Sequence, residues 1–363
     1  MIETFTTNIL RIIEFILALG VLIFLHELGH YLFARLFKIE VEEFGFGFPP
    51  RIVKLFTLGG TDFTLNWIPF GAFVRPKGEN DPSTPGGMAA APPWHRLFIL
   101  LGGPLMNLIA GILLFSVVFK TMGAPVANVV QIISVNPGSP AEQAGLLPQD
   151  IFVSVNDHPI HATQDLSELV SANLGKNITI TVKRGDQLVI VQAIPRLNPP
   201  PGEGPLGIIM GSPVRPVSWS ESIPLALQST YNQARTLISL PVQLLRGQVS
   251  PDQARVVGPK GMYDIYNLAR TEDQKVDQSN PSGLPIRTIS LMAIISVALG
   301  MTNLLPIPAL DGGRILFVLP EILFRRRVPA KYENMVHLIG FATLIILMIL
   351  ITAQDIFNPI QLR

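Results

Sequence analysis

Two histidines and a glutamate lie within one apolar stretch, VLIFLHELGHYLF, which runs from Val21 to Phe33. The spacing of His26 and His30 is i to i+4, so on a helix their imidazoles share one face. Both rings can then reach one Zn²⁺ at about 2.0–2.1 Å, and Glu27 beside them can take a proton from a water at the metal. Ionisable groups in an apolar segment are costly unless they are paired or coordinated, so the motif indicates a metal site.

A catalytic zinc needs a third protein ligand, and the patterns of soluble zinc enzymes do not supply one here. In one pattern a glycine and a histidine follow His30 at the third and sixth positions, but these positions hold Phe33 and Leu36. In another pattern the ligand is a later glutamate, at a position that corresponds to Pro49 or Pro50 in this chain. Three nearby carboxylates are near misses: Glu40, Glu42 and Glu43.

Asp311 is the favoured third ligand. It lies in the stretch TNLLPIPALDGGR, from Thr302 to Arg314, and is the only carboxylate between Arg287 and Glu321. Two prolines interrupt the helical pattern just before it. Irregular backbone at membrane depth is tolerated only where it is buried in protein or lines a watery cavity. An active-site cavity is the natural explanation.

The composition places the chain in the membrane class. Its 363 residues are 48% apolar and only 15% charged, which is too few charges to cover a soluble protein of this length. The net charge of +1 gives no reason to expect a nucleic-acid partner. The absence of cysteine excludes disulfides, iron–sulfur clusters and thiolate metal sites. Any metal must therefore be held by histidine and carboxylate.

Four stretches are long and apolar enough to cross a bilayer, which takes about 20 helical residues. We therefore expect a polytopic α-helical membrane protein. The first stretch is predicted to be a membrane span and not a cleaved signal peptide. Its metal motif lies inside the apolar run, and the basic start of a signal peptide is missing. The spans are expected over Ile12–Phe33, Leu97–Phe119, Thr288–Leu310 and Met335–Ala353.

Lysines and arginines near the span ends predict the orientation. Segments rich in these residues stay on the cytoplasmic side, so the termini and the stretch between spans two and three are expected outside. The positive charges are Arg35, Lys38, Arg51, Lys54, Arg75, Lys77 and Arg96 after the first span, and Arg325, Arg326, Arg327 and Lys331 after the third.

The outer stretch, Val126 to Ser212, has a soluble composition, and its runs NITITVKR and QLVIVQAI predict a β-hairpin around RGDQ. The segment Ser134 to Asp157 resembles the PDZ family in its order of turn, short helix and strand, although Gln149-Asp150 stands where the family usually has Gly-Asp. The later run PLGIIMG resembles the PDZ carboxylate-binding loop, placed at the end of the domain as in circularly permuted bacterial members. Three residues of this loop are expected to bind a peptide carboxyl terminus: Leu206, Gly207 and Ile208.

Several motifs together resemble the site-two proteases, intramembrane zinc metalloproteases, in their bacterial PDZ-containing branch. HELGH matches the first family motif, and NLLPIPALDGG matches Asn-x-x-Pro-x-Pro-x-Leu-Asp-Gly. GGPLMN, from Gly102 to Asn107, matches the element in span two. EEFGFGFPPRI, NWIPFGAFVRPKGEN and VVGPKGM match the hairpin region and the segment that leads into span three. The resemblance covers nearly the whole chain.

The resemblance implies roles for individual residues. It implies that His26, His30 and Asp311 bind zinc and that Glu27 is the general base. It also implies that Asn303 holds the substrate or polarises its carbonyl and that Asn107 lines the substrate cavity, while the alternative for both amides is interhelical packing. Two further histidines, His95 and His337, have no partner at a suitable spacing and are interpreted as structural.

Three connecting segments complete the expected architecture. TDFTLNWIPFGAFV, residues 61–74, predicts a membrane-associated β-hairpin on the cytosolic side, whose edge could hold an unwound substrate strand. Ile223 to Leu245 predicts an interfacial helix rather than a fifth span, because polar residues interrupt it. Thr271 to Gly283 is predicted to be a flexible linker.

These observations predict an inner-membrane zinc endopeptidase of regulated intramembrane proteolysis, with its active site toward the cytoplasm and its PDZ domain outside. Its expected partners are the lipid bilayer and transmembrane proteins already cut by another protease. The alternative is a non-catalytic membrane PDZ protein that binds carboxyl termini of envelope proteins. The expected regions are 1–125 with the first two spans, 126–212 as the PDZ domain, 213–284 as an amphipathic segment and linker, and 285–363 with the last two spans.

Overall fold

The computed structural model describes residues 2–249, 255–276 and 283–359, and its helices account for most of the chain. Side chains of residues 2–8, 69, 70 and 276 lie outside the description. Within the described ranges the α-helices are α1 (Ile2–Leu36), α2 (Pro93–Met122), α3 (Pro140–Gln143), α4 (Thr163–Ser171), α5 (Trp219–Leu245), α6 (Pro259–Val276), α7 (Ile286–Asn303), α8 (Asp311–Phe324) and α9 (Ala330–Phe357).

The strands form three separate sheets. Two long strands pair with each other, two short strands form a second pair, and the remaining strands build one larger sheet. They are β1 (Val41–Leu58), β2 (Thr61–Pro76), β3 (Ala124–Pro125), β4 (Val130–Val135), β5 (Ile151–Val155), β6 (His158–Pro159), β7 (Ile178–Arg184), β8 (Gln187–Ala193), β9 (Ile208–Gly211) and β10 (Val214–Arg215).

The chain divides into two compact units. One unit comprises Met122–Ser218, and the other comprises Met1–Thr121 together with Trp219–Arg363. The second unit contains every helix that is long and apolar enough to cross a membrane among the described residues, and it also contains the sheet of β1 and β2.

Four helices in the described ranges could span a bilayer, which confirms a polytopic membrane protein. Three of them extend a few residues beyond the predicted ends. The third differs, because its helix ends at Asn303 where the sequence predicted a span as far as Leu310. The prolines at 306 and 308 explain the earlier end, since proline lacks the N–H that a helix interior needs. The spans are Ile9–Leu36, Pro93–Met122, Ile286–Asn303 and Ala330–Phe357.

The two long strands β1 and β2 fold back on themselves into a sheet with four strand segments. Residue pairs near the turn, such as Leu58 with Thr61, form an outer hairpin. The first half of β1 lies between two segments of β2, because Phe44 pairs with Phe63 on one side and with Val74 on the other. Residues 72–76 of β2 therefore form one edge of the sheet.

The unit Met122–Ser218 is built on a sheet with the strand order β8-β7-β5-β4-β9, and β6 is paired to β5. The predicted hairpin is confirmed, because β7 and β8 pair in register from Ile178 with Ala193 to Arg184 with Gln187. The short helix α3 begins after Ser139, whose side chain accepts the N–H of Glu142. Apolar side chains of the sheet and of α4 form one core with Ala141 of α3.

Gln149-Asp150 stands where the PDZ family usually has Gly-Asp, and the backbone at Gln149 reflects this difference. Gln149 adopts a φ of 73°, the left-handed region that favours glycine. The aspartate keeps its structural partners, because Asp150 is buried and accepts the N–H of Leu147 at 2.9 Å. Arg184 donates two further hydrogen bonds of 2.7 Å each to the same carboxylate. These bonds join the turn before β5 to the end of β7.

The predicted flexible linker over Thr271–Gly283 is wrong for its first part. Residues 271–276 form the last turns of α6, while residues 277–282 lie outside the described residues. The reason is tertiary: Asp273 accepts the N–H of Thr288 at 2.9 Å and so caps the start of α7. At the other end of α6, Asp355 of α9 accepts the N–H of Gly258 at 2.8 Å. The helix predicted over Ile223–Leu245 is present as α5.

Asp150 should make the stability of the unit Met122–Ser218 depend on pH. Burial alone would raise the pKa of this carboxyl, but the bonds from Arg184 and Leu147 outweigh burial and hold the pKa below its usual range. A carboxyl with a depressed pKa in the folded state stabilises the fold above its unfolded pKa of about 3.9, and this contribution is lost as pH falls through the folded pKa. Asp150→Asn should therefore lower the free energy of unfolding by about 2 kcal/mol at pH 7, with a smaller loss below pH ~4.

The measurement is chemical unfolding of residues 122–218, expressed alone and followed by circular dichroism, at several pH values. Asp186→Asn is the matched control. The side chain of Asp186 is fully exposed, and its ion pair with Lys183 is long, at 3.7 Å. A loss for Asp150→Asn that does not change with pH would contradict the assignment.

Candidate active site

The HELGH motif lies where α1 crosses α2 in close backbone contact. A Cβ atom built on Gly29 of α1 would lie 2.1 Å from the carbonyl oxygen of Gly102 in α2, so only glycine permits this approach. Small residues at such crossings allow membrane helices to approach closely. The crossing brings the GGPLMN element of α2 against the HELGH element of α1.

His26, His30 and Asp311 come together as the sequence predicted. Asp311 Oδ2 lies 3.1 Å from His26 Nε2 and 3.4 Å from His30 Nε2, and the two Nε2 atoms are 3.2 Å apart. Ligands of a tetrahedral zinc with bonds of about 2.0–2.1 Å are separated by about 3.3 Å. Among the described residues this is the cluster of histidine and carboxylate groups that could hold a metal.

The proton positions also favour a cation between these groups. His30 Nδ1 lies 2.7 Å from the carbonyl oxygen of Ile99, so Nδ1 carries the proton that it donates there. The Nε2 atom of the neutral ring then presents a lone pair to the carboxylate of Asp311. Two acceptors that face each other repel unless a cation lies between them, and Asp311 Oδ2 has no hydrogen-bond donor within the described part of the chain. Two imidazole nitrogens and one carboxylate oxygen are a donor set that suits zinc.

Asn107 of α2 lies against His26. Its amide nitrogen Nδ2 is 3.3 Å from His26 Nδ1, and the residue is 1% exposed; exchanging the amide oxygen and nitrogen would change which of them faces the ring. With the amide oxygen turned toward the ring, Asn107 accepts the Nδ1 proton and leaves Nε2 free, and the oxygen gains a partner that it otherwise lacks among the described residues. The sequence predicted a substrate-binding role for Asn107, and this remains a prediction.

Glu27 contacts the sheet edge formed by β2. Its Oε2 accepts the N–H of Val74 at 3.1 Å. Val74 pairs with Phe44 on its other side, and because its N–H bonds Glu27, this is a pair without hydrogen bonds, in which the N–H and C=O of Val74 both point away from the sheet. Ala72, two residues earlier, presents its backbone groups in the same direction. The base candidate and a free strand edge are therefore adjacent.

Two cavities are lined by residues of the HELGH motif. One cavity of about 430 Å³ includes Glu27, Asp311 and Asn303, and a second of about 310 Å³ includes Glu27, Asn107 and Asn303. The edge residue Ala72 lines both cavities. Asn303 stands at the end of α7 and donates one amide hydrogen to the carbonyl of Leu299 at 3.0 Å.

Two of the carboxylates considered as alternative metal ligands, Glu40 and Glu43, bind other side chains. Glu43 is buried in the sheet and accepts hydrogen bonds from Thr64 at 2.7 Å and from Arg51 at 2.8 Å. Glu40 pairs with Lys77 at 2.7 Å. The sequence left these carboxylates open as candidates, and the structure places neither Glu43 nor Glu40 with the two histidines.

The remaining predicted site residues lie in the unit Met122–Ser218. Leu206, Gly207 and Ile208 line a groove of about 260 Å³ between α4 and β9. The groove is otherwise lined mainly by apolar side chains, including Leu166 and Val170. Its chemistry suits an apolar side chain at the end of a peptide.

Sequence reasoning missed the residues that support the motif from other elements. The N–H of Val74 and the carbonyl of Ile99 are backbone groups and leave no signal in side-chain patterns. Arg314, which forms a close ion pair with Glu79, could have been noticed because it follows Asp311 by one helical turn. His337 was interpreted as structural, but its Nδ1 accepts the N–H of Ala309, two residues before Asp311.

Comparison with known proteins identifies the family of this chain. The family model described as peptidase family M50 matches residues 14–347. The chain belongs to peptidase family M50. A candidate zinc metalloprotease of Clostridium perfringens is 31% identical over 96% of this chain and 99% of the relative, and one of Clostridium acetobutylicum is 31% identical over 97% and 98%. Zinc metalloprotease RasP of Oceanobacillus iheyensis is 27% identical over 95% of this chain and 98% of RasP.

This M50 protein is therefore a zinc-dependent metalloprotease of the site-two type and an integral membrane protein. It acts on membrane-protein substrates within the lipid bilayer. The alternative of a non-catalytic PDZ protein is not supported, because the family and the named relatives are metalloproteases.

Replacing Gly103 with alanine should disrupt the metal site. A Cβ atom at this position would lie 2.4 Å from His30 Nε2 and 2.7 Å from His26 Nε2, so the added methyl group would occupy the point where the ligand atoms converge. We expect purified Gly103→Ala protein to contain much less zinc and to lose cleavage of a model substrate. Metal content can be measured by mass spectrometry.

Gly20→Ala is the control on α1, because a Cβ atom there meets nothing within 4 Å. It should keep wild-type zinc content and activity. Full zinc occupancy in Gly103→Ala would show that the two rings bind no metal in this arrangement.

Proposed function

We propose that His26, His30 and Asp311 hold the catalytic zinc and that Glu27 is the general base of peptide-bond hydrolysis. The observation that carries this proposal is the convergence of two Nε2 atoms and one carboxylate oxygen within 3.1–3.4 Å of one another, next to a carboxylate that lines the same cavity. Three protein ligands leave a position open, as in catalytic zinc sites.

The chain supplies orientation and proton transfer. When bound, the metal supplies Lewis acidity toward water and the substrate carbonyl. Ile99 and Asn107 fix the two rings so that each Nε2 faces Asp311. Glu27 accepts a proton from the attacking water and returns it to the leaving nitrogen, and the N–H of Val74 holds its carboxylate in place. Asn303, at the cleft wall, steadies the substrate carbonyl.

The substrate binds as an extended strand along residues 72–76. A peptide bond within a helix is unavailable for attack until the helix is unwound, and an unwound segment needs partners for its backbone groups. The edge at Ala72 and Val74 offers such partners beside Glu27, in the mode of strand addition to a sheet. The sequence predicted that an edge of the hairpin region holds the substrate strand, and we assign this role to residues 72–76.

The physiological role that we propose is regulated intramembrane proteolysis at the inner membrane. The substrates are transmembrane segments, such as a pre-cleaved anti-sigma factor or a remnant signal peptide. The positively charged segments after spans one and three support an orientation with the active site toward the cytoplasm and Met122–Ser218 outside.

Two substitutions test the proposed site. Glu27→Gln keeps the shape of the side chain but removes the base, so cleavage of a model transmembrane substrate should fall by at least about a hundredfold while zinc stays bound. Asp311→Ala removes a ligand and should lower both zinc content and cleavage. The measurements are metal content and initial cleavage rate in detergent.

Glu43→Ala is the matched carboxylate control. It should keep its zinc, although the loss of the bonds to Arg51 and Thr64 should weaken the sheet. Near wild-type cleavage by Glu27→Gln would disprove the proposed base. Equal zinc in Asp311→Ala and Glu43→Ala would disprove the third ligand.

We further propose that Val126–Ser212, within the unit Met122–Ser218, is a PDZ domain that excludes substrates with bulky outer domains and captures the carboxyl terminus left by a first cut. The groove beside Leu206–Ile208 supports capture, since it is apolar and follows a loop that resembles the PDZ carboxylate-binding loop. Exclusion requires only the bulk of a folded unit inserted between α2 and α5.

Deleting Val126–Ser212 and joining the ends with a flexible Gly/Ser linker should allow cleavage of substrates that keep a folded outer domain. Ser167→Trp should fill the groove and slow cleavage of trimmed substrates only, because Ser167 lines it. Ala172→Trp is the control, since Ala172 is exposed on the same segment but does not line the groove. Cleavage is compared for one substrate in long and trimmed forms. Exclusion is wrong if the deletion never admits the long form, and capture is wrong if Ser167→Trp matches Ala172→Trp.

A further inference from the structure

The loop between α7 and α8 carries Asp311 at its end. It runs from Leu304 to Leu310, contains two prolines, and leads into α8, whose first residue is Asp311. Ala309 adopts a φ of 75° in this loop. This left-handed conformation is strained for a residue with a Cβ atom, so other contacts must hold Ala309 there.

His337 of α9 forms a hydrogen bond with this loop at Ala309. Its Nδ1 accepts the N–H of Ala309 at 2.9 Å. One turn further along α9, Gly340 lies against the same loop, and a Cβ atom at Gly340 would be 2.3 Å from Pro308 Cβ. The ring of His337 also packs against Phe317 of α8, with 5.5 Å between ring centroids. One face of α9 therefore supports both the loop and the helix that begins with Asp311.

Packing alone does not account for a histidine at this position. Because Nδ1 accepts a hydrogen bond, the neutral ring carries its proton on Nε2, and Nε2 is buried without a partner among the described residues. An unpaired buried donor costs free energy that a leucine of similar size would not. Asp355 is the one buried residue of α9 in the described part of the chain, and it bonds to Gly258 near the start of α6, away from this loop.

We infer that His337 is a positioning residue of the metal site, which holds Ala309 in its left-handed conformation and thereby directs the Asp311 carboxylate toward His26 and His30. This inference rests on the proposed role of Asp311 as a zinc ligand. It assigns α9 a specific part in the metal site: the helix reaches the zinc-binding residues through one hydrogen bond to the backbone two residues before the ligand.

Two substitutions at the same position separate the hydrogen bond from packing. His337→Asn keeps an acceptor at the δ position but removes the ring, whereas His337→Leu keeps apolar bulk but removes the acceptor. The full-length protein is purified in detergent and loaded with zinc, and the rate of zinc loss to EDTA is measured together with kcat and KM for a model substrate.

We expect His337→Leu to lose zinc about tenfold faster than the wild type, the scale seen when a partner behind a metal ligand is removed. Its kcat should fall with little change in KM, because the substrate edge at residues 72–76 is untouched. His337→Asn should remain within about threefold of the wild type in both measurements. Adding Ala309→Gly to His337→Leu should restore much of the zinc retention, since glycine adopts a positive φ without strain.

His95 provides the matched control, because its ring stacks on Phe37 with 4.4 Å between centroids and it was also interpreted as structural. His95→Leu should retain zinc as the wild type does. Asp311→Ala is measured in parallel: if it retains zinc, the proposed ligand itself is wrong. If Asp311→Ala loses zinc but His337→Leu does not, or if His337→Asn loses zinc as fast as His337→Leu, the positioning role is overturned and the proposed site stands.

Discussion

The metal site depends on one constraint: two histidines of α1 and an aspartate of α8, far apart in the sequence, must meet where bulk water does not surround them. An imidazole or carboxylate in such surroundings is costly unless it is hydrogen-bonded or coordinated. The structure meets this requirement with contacts from neighbouring elements. Ile99 and Asn107 of α2 engage the outer nitrogens of the two histidines, and the inner nitrogens face Asp311.

Close backbone packing supplies the accuracy that metal coordination needs. The crossing at Gly29 and Gly102 brings α1 and α2 within backbone contact, and Gly103 leaves space beside the two imidazoles. On the opposite side, the loop before α8 packs closely on α9 at Gly340. In a bilayer the lipid tails are as apolar as the side chains, so van der Waals packing and interhelical hydrogen bonds hold helices together. Small residues at these contacts are therefore part of the active-site architecture.

The sheet of β1 and β2 explains how a strand edge reaches the base. The first half of β1 lies between two segments of β2, so the last segment, residues 72–76, is left with one unpaired edge. Glu43 in the middle of this sheet is surrounded by Thr64, Arg51 and Arg75, which gives its buried charge three partners. Because these three partners already bind the Glu43 carboxylate within the sheet, it is not available as a metal ligand. The unpaired edge is satisfied in part by Glu27, and it is also the natural place for an extended substrate.

The sequence by itself determined the membrane class, the four spans, the zinc motif and the family, because each is encoded in local composition, helical spacing or short motifs. His26 and His30 share a helix face through spacing alone, and the prolines near Asp311 already indicated irregular backbone. Tertiary structure decided what depends on contacts between distant residues. It placed Asp311, not Glu43, beside the histidines, and it turned residues 271–276 into helix because Asp273 caps α7. It also gave His337 a partner in Ala309 and Glu27 a partner in Val74. Both partners are backbone N–H groups, which every residue except proline carries, so no residue type in the sequence could reveal them.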